Sequence, residues 1–392
     1  MFNGLSQLKK GLSKGAIHGL NGVLMQGLNS GLNPRTKKTP TSFRIVIDKN
    51  KCGASNSTDF PFLFSFSDKF FSNISYGGRM FNRNGYDILF YSDAAMSVPL
   101  SWEIEYYDAT TGTGIIWIKT NVSYQTDTYI YGKIGVPSIN TFQSVATSVW
   151  NSNYKGVWHL PNGTTLGVLD STSNANNGTN NGATAATGKI DGGAGLVSAS
   201  SQFIDTVDIA ALDNAGAISV FGWVKQSSLT NDESIVVKWD YQTQGNFALQ
   251  TGASSGGGVA GGLTVYIATS LTDNGNGCRV DTNAAVLSAN TWALVGFVFD
   301  GSQTGNANRL KIYVNGASVP VTQAFGNVPA STVSGSTATV KIGKFGGILT
   351  RYFNGVMDEV IVLNAPLSAD WALTQYNNQS SPSTFFQIQI IK

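Results

Sequence analysis

The most constraining feature of this sequence is a succession of short segments in which apolar and polar residues alternate. Residues 60–66, with a phenylalanine at every second position, are the clearest example. A period of two predicts half-buried β-strands. Such segments recur between residues 43 and 380, separated by turns rich in Asn, Gly, Ser and Thr, and only residues 368–376 favour a helix. The pattern therefore predicts an all-β fold of antiparallel sheets.

The spacing of the strands and turns divides the chain into two β-rich parts. We predict a basic Gly/Leu-rich arm at 1–42, a small β-sandwich-like domain at 43–142, a connector at 143–155, a large antiparallel sandwich at 156–380, and a tail at 381–392. The tail contains one last strand, 385–391, with no later segment to pair with. Whether this strand pairs within its own chain or with a neighbour stays open at this point.

One hairpin is predicted from its turn. Asn315-Gly316 separates two alternating segments, and these two residue types accept the positive φ angles of a two-residue hairpin turn.

Charge is sparse and uneven. Charged residues make up 12% of the chain, about half of the ~25% usual for soluble proteins. The 42% of hydrophobic residues argues against general disorder. Residues 1–42 carry six basic and no acidic residues, whereas the other 350 carry 19 basic and 23 acidic ones. The net charge of +2 therefore combines a basic arm with a mildly acidic body, which indicates an interaction tail.

The sequence of the arm predicts at most a weak helix when the arm is isolated in water. Its leucines recur every four residues, so their stripe winds around a helix, and each interior glycine costs about 1 kcal/mol relative to alanine. The alternative is a floppy tail. We expect docking to a protein partner rather than to nucleic acid, because no aromatic residue is interleaved with the lysines. The docking positions are Leu8, Leu12, Leu20, Leu24, Leu28 and Leu32.

Several classes of protein are excluded. Cys52 and Cys278 lie too far apart to predict a disulfide framework or a CxxC metal site. No stretch approaches the ~18 apolar residues of a membrane span. The N-terminus lacks the continuous apolar core of a secretory signal, so we expect no export by a signal-peptide route.

The larger β-rich part contains six characteristic segments in a fixed order: GVWHL (156–160), DSTSN (170–174), AISVFGWV (217–224), NTW (290–292), LKIYVNG (310–316) and FNGVMDEV (353–360). With these segments, residues 156–380 resemble laminin-G-like, concanavalin A-like jelly-roll domains. The resemblance implies an antiparallel jelly roll.

The preceding part carries its own marks at Asp59-Phe60-Pro61, Tyr86-Asp87-Ile88, residues 102–108 and Trp117-Ile118-Lys119. On these residues, the stretch from 43 to 150 resembles a prokaryotic β-domain of unknown function that is commonly found next to such jelly rolls. It implies a β-rich module and supplies no activity.

The jelly-roll resemblance implies one structural Ca²⁺. Its ligands are expected to be Asp170 and Asp358, with further oxygen from Asn174 and Asn177. Carboxylate and amide oxygens are the ligands that Ca²⁺ requires. The alternative is an Asx-rich turn, with Asp358 capping nearby backbone groups.

The same resemblance implies carbohydrate binding by aromatic, amide and charged side chains at the rim or on the concave face. The alternative is that the aromatic residues cover sheet edges or fill the core. The candidate residues are Trp239, Tyr241, Asn274, Arg279, Arg351 and Tyr352.

Catalysis is not predicted. Alternation places Glu103 and Glu105 on one strand face, as a carboxylate pair for acid–base chemistry requires, but they lie outside the jelly roll in an ordinary strand pattern. We favour a structural role for them. His18 and His159 are the only histidines, and His159 falls in an apolar strand.

These observations predict a non-enzymatic virion protein of a bacteriophage, such as a capsid-decoration, head-fibre or tail-associated protein. The arm would dock to other virion proteins in a multi-copy or homo-oligomeric assembly, and the jelly roll would face surface glycans. The alternative is a prokaryotic cell-surface or secreted carbohydrate-binding adhesin. A glycan-cleaving enzyme is the third hypothesis, with Glu103 and Glu105 as its only candidate pair.

Overall fold

The computed structural model describes residues 40–161, 165–252, 257–273, 277–347 and 351–391. The six leucines of the predicted docking arm lie outside these residues, so arm docking stays a prediction. Within the described ranges, no helix combines the length and the apolar character needed to cross a membrane.

The first part of the chain forms two small antiparallel sheets. Its strands are β1 (Thr41–Ile47), β2 (Ser57–Ser67), β3 (Ile88–Tyr91), β4 (Trp102–Asp108), β5 (Thr113–Val122) and β6 (Thr128–Ile134). Short 3₁₀ helices occupy Lys49–Lys51, Lys69–Phe71, Ile74–Tyr76 and Ala146–Val149. One sheet has the order β2-β5-β4, and the other contains β1, β6 and β3.

The C-terminal strand completes the small domain. β23 (Phe386–Ile391) pairs antiparallel with β1, from Ser42 opposite Ile391 to Ile47 opposite Phe386. The second sheet therefore has the order β23-β1-β6-β3. The predicted tail strand thus finds its partner within the described part of its own chain, although that partner precedes it by more than 300 residues.

The two small sheets enclose an aromatic core. Alternate residues of β2 point into it, as the period of two predicts, and Phe64 contacts Phe43, Phe90 and Phe386 at ring-centroid distances between 5.4 and 6.3 Å. Burial of aromatic side chains on both inner faces holds the sheets together.

The second part of the chain forms two eight-stranded antiparallel sheets. One sheet has the order β19-β18-β17-β12-β22-β10-β9, with β7 also pairing with β22, and the other has the order β20-β16-β15-β14-β13-β21-β11-β8. The strands are β7 (Tyr154–Trp158), β8 (Thr179–Asn181), β9 (Thr184–Thr187), β10 (Gly192–Leu196), β11 (Phe203–Asp205), β12 (Ala217–Gln226), β13 (Ser234–Asp240), β14 (Gln244–Gly252), β15 (Gly262–Ile267), β16 (Cys278–Thr282), β17 (Ala293–Asp300), β18 (Leu310–Val314), β19 (Ala317–Ser318), β20 (Val321–Phe325), β21 (Lys341–Ile342) and β22 (Gly355–Leu363).

The main core lies between these two large sheets, as in a β-sandwich. The predicted hairpin is present: Asn315 and Gly316 have φ angles of 50° and 79° between β18 and β19. Among the described residues of this second part, helices are few: α1 (Asn306–Arg309), α2 (Ala369–Ser380), α3 (Pro382–Phe385) and 3₁₀ turns at Ser198–Ser200 and Ala210–Leu212. Ser368 caps α2 by accepting from the Trp371 N–H, close to the predicted helix start.

The small domain packs on the jelly roll through a second apolar cluster. Leu63 and Trp117 from the β2-β5-β4 sheet meet Trp223, Tyr313 and other side chains on the outer side of the β12-β22 sheet. Helix α2 also joins the two parts, because Asn378 exchanges two hydrogen bonds with the backbone of Leu63, at 2.7 and 3.0 Å. The predicted fold class, an all-β protein with a small β-domain followed by a jelly roll, is confirmed.

Candidate functional site

The first candidate site is the face of the β14-β15-β16 sheet that points away from the main core. On these strands, Leu249, Val265 and Val280 fill the core, so their sequence neighbours point to the opposite side. The strand register then places Gln250 beside Thr264, and Thr264 beside Asp281. We call this opposite side of the three strands, together with the side chains that border it, the outer face.

A polar row crosses the outer face. Thr264 donates its hydroxyl hydrogen to Asp281 over 2.8 Å, and Gln250 donates to the Ser234 hydroxyl over 2.9 Å. All four side chains of this row, Gln250, Thr264, Asp281 and Ser234, are buried, and these bonds hold their polar groups in fixed orientations. The row therefore forms a rigid polar floor that positions the more exposed side chains bordering it.

An aromatic row runs next to the polar one. Register pairs Tyr266 with Arg279, and Arg279 with Phe325. The Arg279 guanidinium lies 5.6 Å from the centre of the Tyr266 ring, and the Tyr266 and Phe325 rings are 6.4 Å apart. Arg279 also donates to Asp281 over 2.9 Å, which links the two rows. Phe325 is 36% exposed, so an aromatic surface is open to solvent at this edge.

Arg351 borders the polar row at its other end. Its guanidinium donates to the Gln250 side-chain oxygen over 2.9 Å and lies 3.7 Å from the Asp232 carboxylate. The Arg351 side chain is 31% exposed. The outer face therefore combines accessible aromatic surface with charged and amide groups.

The structure brings together some of the residues predicted to bind carbohydrate, but not all. Arg279 and Arg351 lie on the outer face as described. Trp239 is buried and packs edge-on against Tyr266, at a ring distance of 6.3 Å, so it supports the aromatic row rather than facing solvent. Tyr241 is half-buried and packs against the same cluster as Trp239. Asn274 lies outside the described residues.

Tyr352 belongs to a separate patch. Its ring lies 6.2 Å from that of Phe203, and the Lys344 ammonium lies 4.3 Å from the Phe203 ring and 5.6 Å from the Tyr352 ring. Phe203 lies on β11, three strands away from β14 in the sheet order.

A buried acid lies beside the outer face. Glu233 precedes Ser234 and accepts the Asn354 N–H over 2.9 Å. Burial raises its pKa from 4.5 to about 7. Glu233 therefore stays protonated up to a higher pH in the folded chain than in the unfolded chain.

We expect this proton to make stability depend on pH. With a folded-state pKa above the unfolded one, the contribution of Glu233 is fully present below about pH 4.5 and is lost as pH rises to about 7. The variant Glu233→Gln keeps an acceptor for Asn354 and should abolish this loss. Urea denaturation should give both proteins similar stability at pH 4.5 and the variant an advantage of up to about 3 kcal/mol at pH 8. Equal stability of the two proteins at pH 8 would contradict the assignment.

The predicted calcium ligands fall into two places. Asp170 lies in a loop where its carboxylate accepts four hydrogen bonds, from the N–H groups of Val157, Thr172 and Asn176 and from the Thr172 hydroxyl. These donors occupy both oxygens and organise an Asx-rich turn.

The two predicted amide ligands belong to the same turn. Asn177 accepts the Asp170 N–H over 2.9 Å, and Asn174 donates its amide hydrogen to the Tyr154 carbonyl over 2.9 Å. As arranged, the oxygens of Asp170 and Asn177 are engaged by protein donors, so this loop does not present the open oxygen set that Ca²⁺ needs. Calcium binding stays a prediction.

Asp358, the fourth predicted calcium ligand, lies on β22 and is buried. One of its oxygens accepts the N–H groups of Lys189 and Ile190 over 2.7 and 2.9 Å. Its other oxygen has no hydrogen-bond partner among the described residues. Burial, reinforced by the charge of Glu359, raises the pKa of Asp358 well above its ordinary value.

The second constellation lies between the small domain and the jelly roll. We call it the interdomain cluster, and it consists of Glu103, Glu105, His159, Asp358 and Glu359. The His159 Nδ1 atom lies 2.8 Å from one oxygen of Glu359 and 3.6 Å from Glu105 Oε2, and its Nε2 atom lies 3.7 Å from Glu103 Oε2. His159 was predicted to fall in an apolar strand, but β7 ends at Trp158 and the imidazole is buried among carboxylates.

Local backbone structure orients the acidic side chains of the interdomain cluster. Glu103 and Glu105 both face His159 from β4, and the pairing of β4 with β5 is irregular between Ile104 and Tyr106. Glu359 has a positive φ of 51°, at an irregularity in the pairing of β12 with β22. A bulge of this kind turns a side chain out of the regular alternation, so both Asp358 and Glu359 are directed into buried polar environments.

Burial shifts the protonation of this cluster. It raises the pKa of Glu105 well above its ordinary value, and the nearby Glu359 adds to the effect. The pKa of Glu359 is also raised by burial, although His159 opposes this shift. Burial lowers the pKa of His159, but the charges of Glu359 and Glu105 outweigh it and raise that pKa well above its ordinary value. Protons therefore compensate the buried negative charge.

The sequence alone did not identify most residues of the outer face or of the interdomain cluster. Gln250, Thr264, Tyr266, Asp281 and Phe325 carry no motif of their own, because only the register across four strands brings them together. Glu359 was visible only as part of the closing jelly-roll segment. The sequence feature that could have pointed to the interdomain cluster was the Glu-x-Glu spacing on β4.

Comparisons with known proteins support the fold. Residues 198–372 match the family model Laminin_G_3, described as the concanavalin A-like lectin/glucanases superfamily. This segment is therefore a laminin-G-like, concanavalin A-like jelly roll, and the resemblance predicted for 156–380 is confirmed there. The resemblance of residues 43–150 to a domain of unknown function stays a prediction. No curated protein matches the sequence.

The solved structures that match part of this chain share little sequence with it. Domain 4 of an extracellular arabinanase from Geobacillus stearothermophilus, in complex with arabinotriose, is 19% identical, with a TM-score of 0.41, and the match covers 57% of this chain and 98% of that domain. The binding domain of Paraclostridial Mosquitocidal Protein 1 is 11% identical, with a TM-score of 0.41 and coverage of 58% and 52%. The botulinum neurotoxin serotype G binding domain is 14% identical, with the same TM-score and coverage. This chain thus spans about half the length of the toxin binding domains.

Proposed function

We propose that this protein binds carbohydrate through the outer face of the β14-β15-β16 sheet and has no catalytic role there. The observation that carries the proposal is the pair of adjacent rows: Tyr266 and Phe325 beside a fixed line of polar groups. The family of residues 198–372, described as lectins and glucanases, is consistent with it.

A saccharide matches the chemistry of this face. Its C–H surface packs on aromatic rings, and its hydroxyls both donate and accept hydrogen bonds. Arg351, whose side chain is 31% exposed, supplies rigid donors that suit paired hydroxyls or a carboxylated sugar, while the buried Arg279–Asp281 pair supports the Tyr266 ring.

Binding rather than hydrolysis is favoured by the acids present. Glycoside hydrolysis uses two carboxyl groups that flank the scissile bond. Of the acids on or beside the outer face, Asp281 is paired with Arg279 and Asp232 with Arg351, and Glu233 is only 3% exposed and accepts the Asn354 N–H. Glu103 and Glu105 lie at the interdomain cluster instead.

A glycan array probed with the full chain tests the proposal. We expect binding to a defined set of oligosaccharides and a loss of roughly tenfold or more in affinity for Phe325→Ala and for Arg351→Ala. Both side chains are partly exposed, so the variants should fold. Tyr124→Ala, an exposed aromatic of the small domain, is the matched control and should bind normally. An array without binders, or equal loss in all three variants, would refute the proposal.

A place on a virus particle, with the arm docked to other virion proteins in a multi-copy assembly, is a further part of the proposal. It is supported by the sequence alone, through the basic leucine-rich arm. The alternative is a cell-surface or secreted adhesin. Mass spectrometry of purified particles against the envelope of uninfected cells separates the two, and absence from particles removes the virion role.

A further inference from the structure

The interdomain cluster gathers four carboxyl groups near a single imidazole. Oxygens of Glu103, Glu105 and Glu359 lie within 3.7 Å of the His159 ring nitrogens, Asp358 precedes Glu359 on β22, and apart from Glu103 these side chains are almost wholly buried. Buried carboxylates persist only when protons, cations or metal ions compensate them. No lysine or arginine forms an ion pair with these four acids in the described part of the chain.

Three of these side chains are spaced as ligands of one ion. The ligand atoms of Glu105, His159 and Glu359 all lie within 4.8 Å of one another. The 3.6 Å between His159 Nδ1 and Glu105 Oε2 is close to the separation of about 3.4 Å that a tetrahedral site with bonds near 2.1 Å imposes. The 2.8 Å hydrogen bond between His159 and Glu359 would lengthen as the ion replaces its proton.

One buried atom without a partner belongs to a proposed ligand. Glu105 Oε1 has no hydrogen-bond partner among the described residues, although only 1% of the Glu105 side chain is exposed. Unpartnered polar atoms are rare in folded proteins and call for an occupant.

The surrounding groups also match a metal site. With a metal on Nδ1, the Nε2–H of His159 faces Glu103 Oε2 at 3.7 Å, which is the carboxylate–histidine–metal arrangement. Glu105 is oriented by the Trp117 indole N–H at 2.7 Å, and Glu103 by that of Trp150 at 2.8 Å. These bonds hold the ligands in place without occupying every lone pair.

The chemical types of the three ligands indicate which metal ion they would bind. One imidazole nitrogen with two carboxylates suits Zn²⁺ and neighbouring divalent first-row ions. Ca²⁺ requires six to eight oxygen ligands, more than these side chains supply. Mg²⁺ retains several waters, which a buried position beside tryptophan rings does not accommodate.

Glu103 lies at the border of the cluster. Its side chain is 13% exposed, and its carboxylate accepts hydrogen bonds from the Trp150 indole and the Ser171 hydroxyl over 2.8 and 2.7 Å.

We infer that Glu105, His159 and Glu359 bind one divalent transition-metal ion, with Zn²⁺ as the best match, which fastens the small domain to the jelly roll. Glu105 comes from the small domain, whereas the other two ligands come from the second part of the chain. The inference is independent of carbohydrate binding, because the outer face lies on the other large sheet.

Metal titration of the full chain tests this inference. Protein stripped with EDTA and dialysed should bind one equivalent of Zn²⁺ in calorimetry, and its Tm should rise by several degrees. Co²⁺ should give the visible absorption bands of a low-coordinate site, and Zn²⁺ should displace them. Ca²⁺ should not compete for this site.

Glutamine variants separate a metal site from a buried acid network. Glu105→Gln keeps the shape and an acceptor for Trp117 but removes the ligand charge, so we expect roughly 100-fold weaker Zn²⁺ binding and no Co²⁺ bands. Glu233→Gln, a buried glutamate outside the cluster, is the matched control and should bind as the parent does. Absence of Zn²⁺ and Co²⁺ binding in the parent protein, or unchanged binding in Glu105→Gln, would overturn the inference. If Glu105→Gln fails to fold, the parent titration decides alone.

Discussion

Replacing Phe386 with alanine is expected to destabilise the protein by about 3–5 kcal/mol, the usual cost of emptying a buried phenylalanine position. Phe386 is 6% exposed and contacts Phe62 and Phe64 at ring distances of 5.3 and 5.4 Å. It also opens the strand that pairs with β1. Its loss should therefore loosen a core made mostly by residues more than 250 positions earlier. Urea denaturation followed by circular dichroism measures the change.

Ile390→Ala provides the control within the same strand. Ile390 is 52% exposed, so its truncation should change the free energy of unfolding by well under 1 kcal/mol. Similar effects of the two substitutions would mean that β23 is not part of the small domain's core.

Trp117→Ala is expected to have an effect at least as large. Trp117 is 1% exposed in the cluster between the two parts of the chain, and its ring stacks on His159 at 5.3 Å. The substitution leaves a large cavity, which should lower the free energy of unfolding by about 3–5 kcal/mol. It also removes the N–H donor of the buried Glu105 carboxyl, which should lower it by about 1–3 kcal/mol more. We expect a lower Tm and a transition that separates into two steps as the domains lose their shared core.

Val145→Ala is the control for this prediction, because Val145 is 62% exposed near the same connection. It should unfold like the parent protein. If Trp117→Ala also unfolds at the parent Tm in one step, the interface contributes far less than its burial indicates.

Local sequence patterns predicted the elements well. The alternating phenylalanines of 60–66 lie in β2, the Asn315-Gly316 turn joins β18 to β19, and α2 begins after its Ser368 cap. Each of these depends on residues within one or two turns, where the spacing of apolar residues and the φ preferences of Asn and Gly decide the outcome.

Long-range pairing could not be predicted in the same way. The alternation of 385–391 indicated a strand, but no local pattern specified β1 as its partner. The rows of the outer face depend on register across β14, β15, β16 and β20, and a shift of one residue would turn each side chain to the other side. The position of Glu359 beside His159 depends on a bulge in β22 as well as on the packing of two domains.

The most direct test of the central claim is calorimetric titration of the best array oligosaccharide into the full chain and into Tyr266→Ala. The variant should be taken forward once circular dichroism shows the parent β-sheet content. We predict one site per chain in the parent protein and affinity reduced by tenfold or more in the variant, with the Tyr124→Ala control unchanged. Equal affinity of the parent protein and Tyr266→Ala would contradict carbohydrate binding at the outer face.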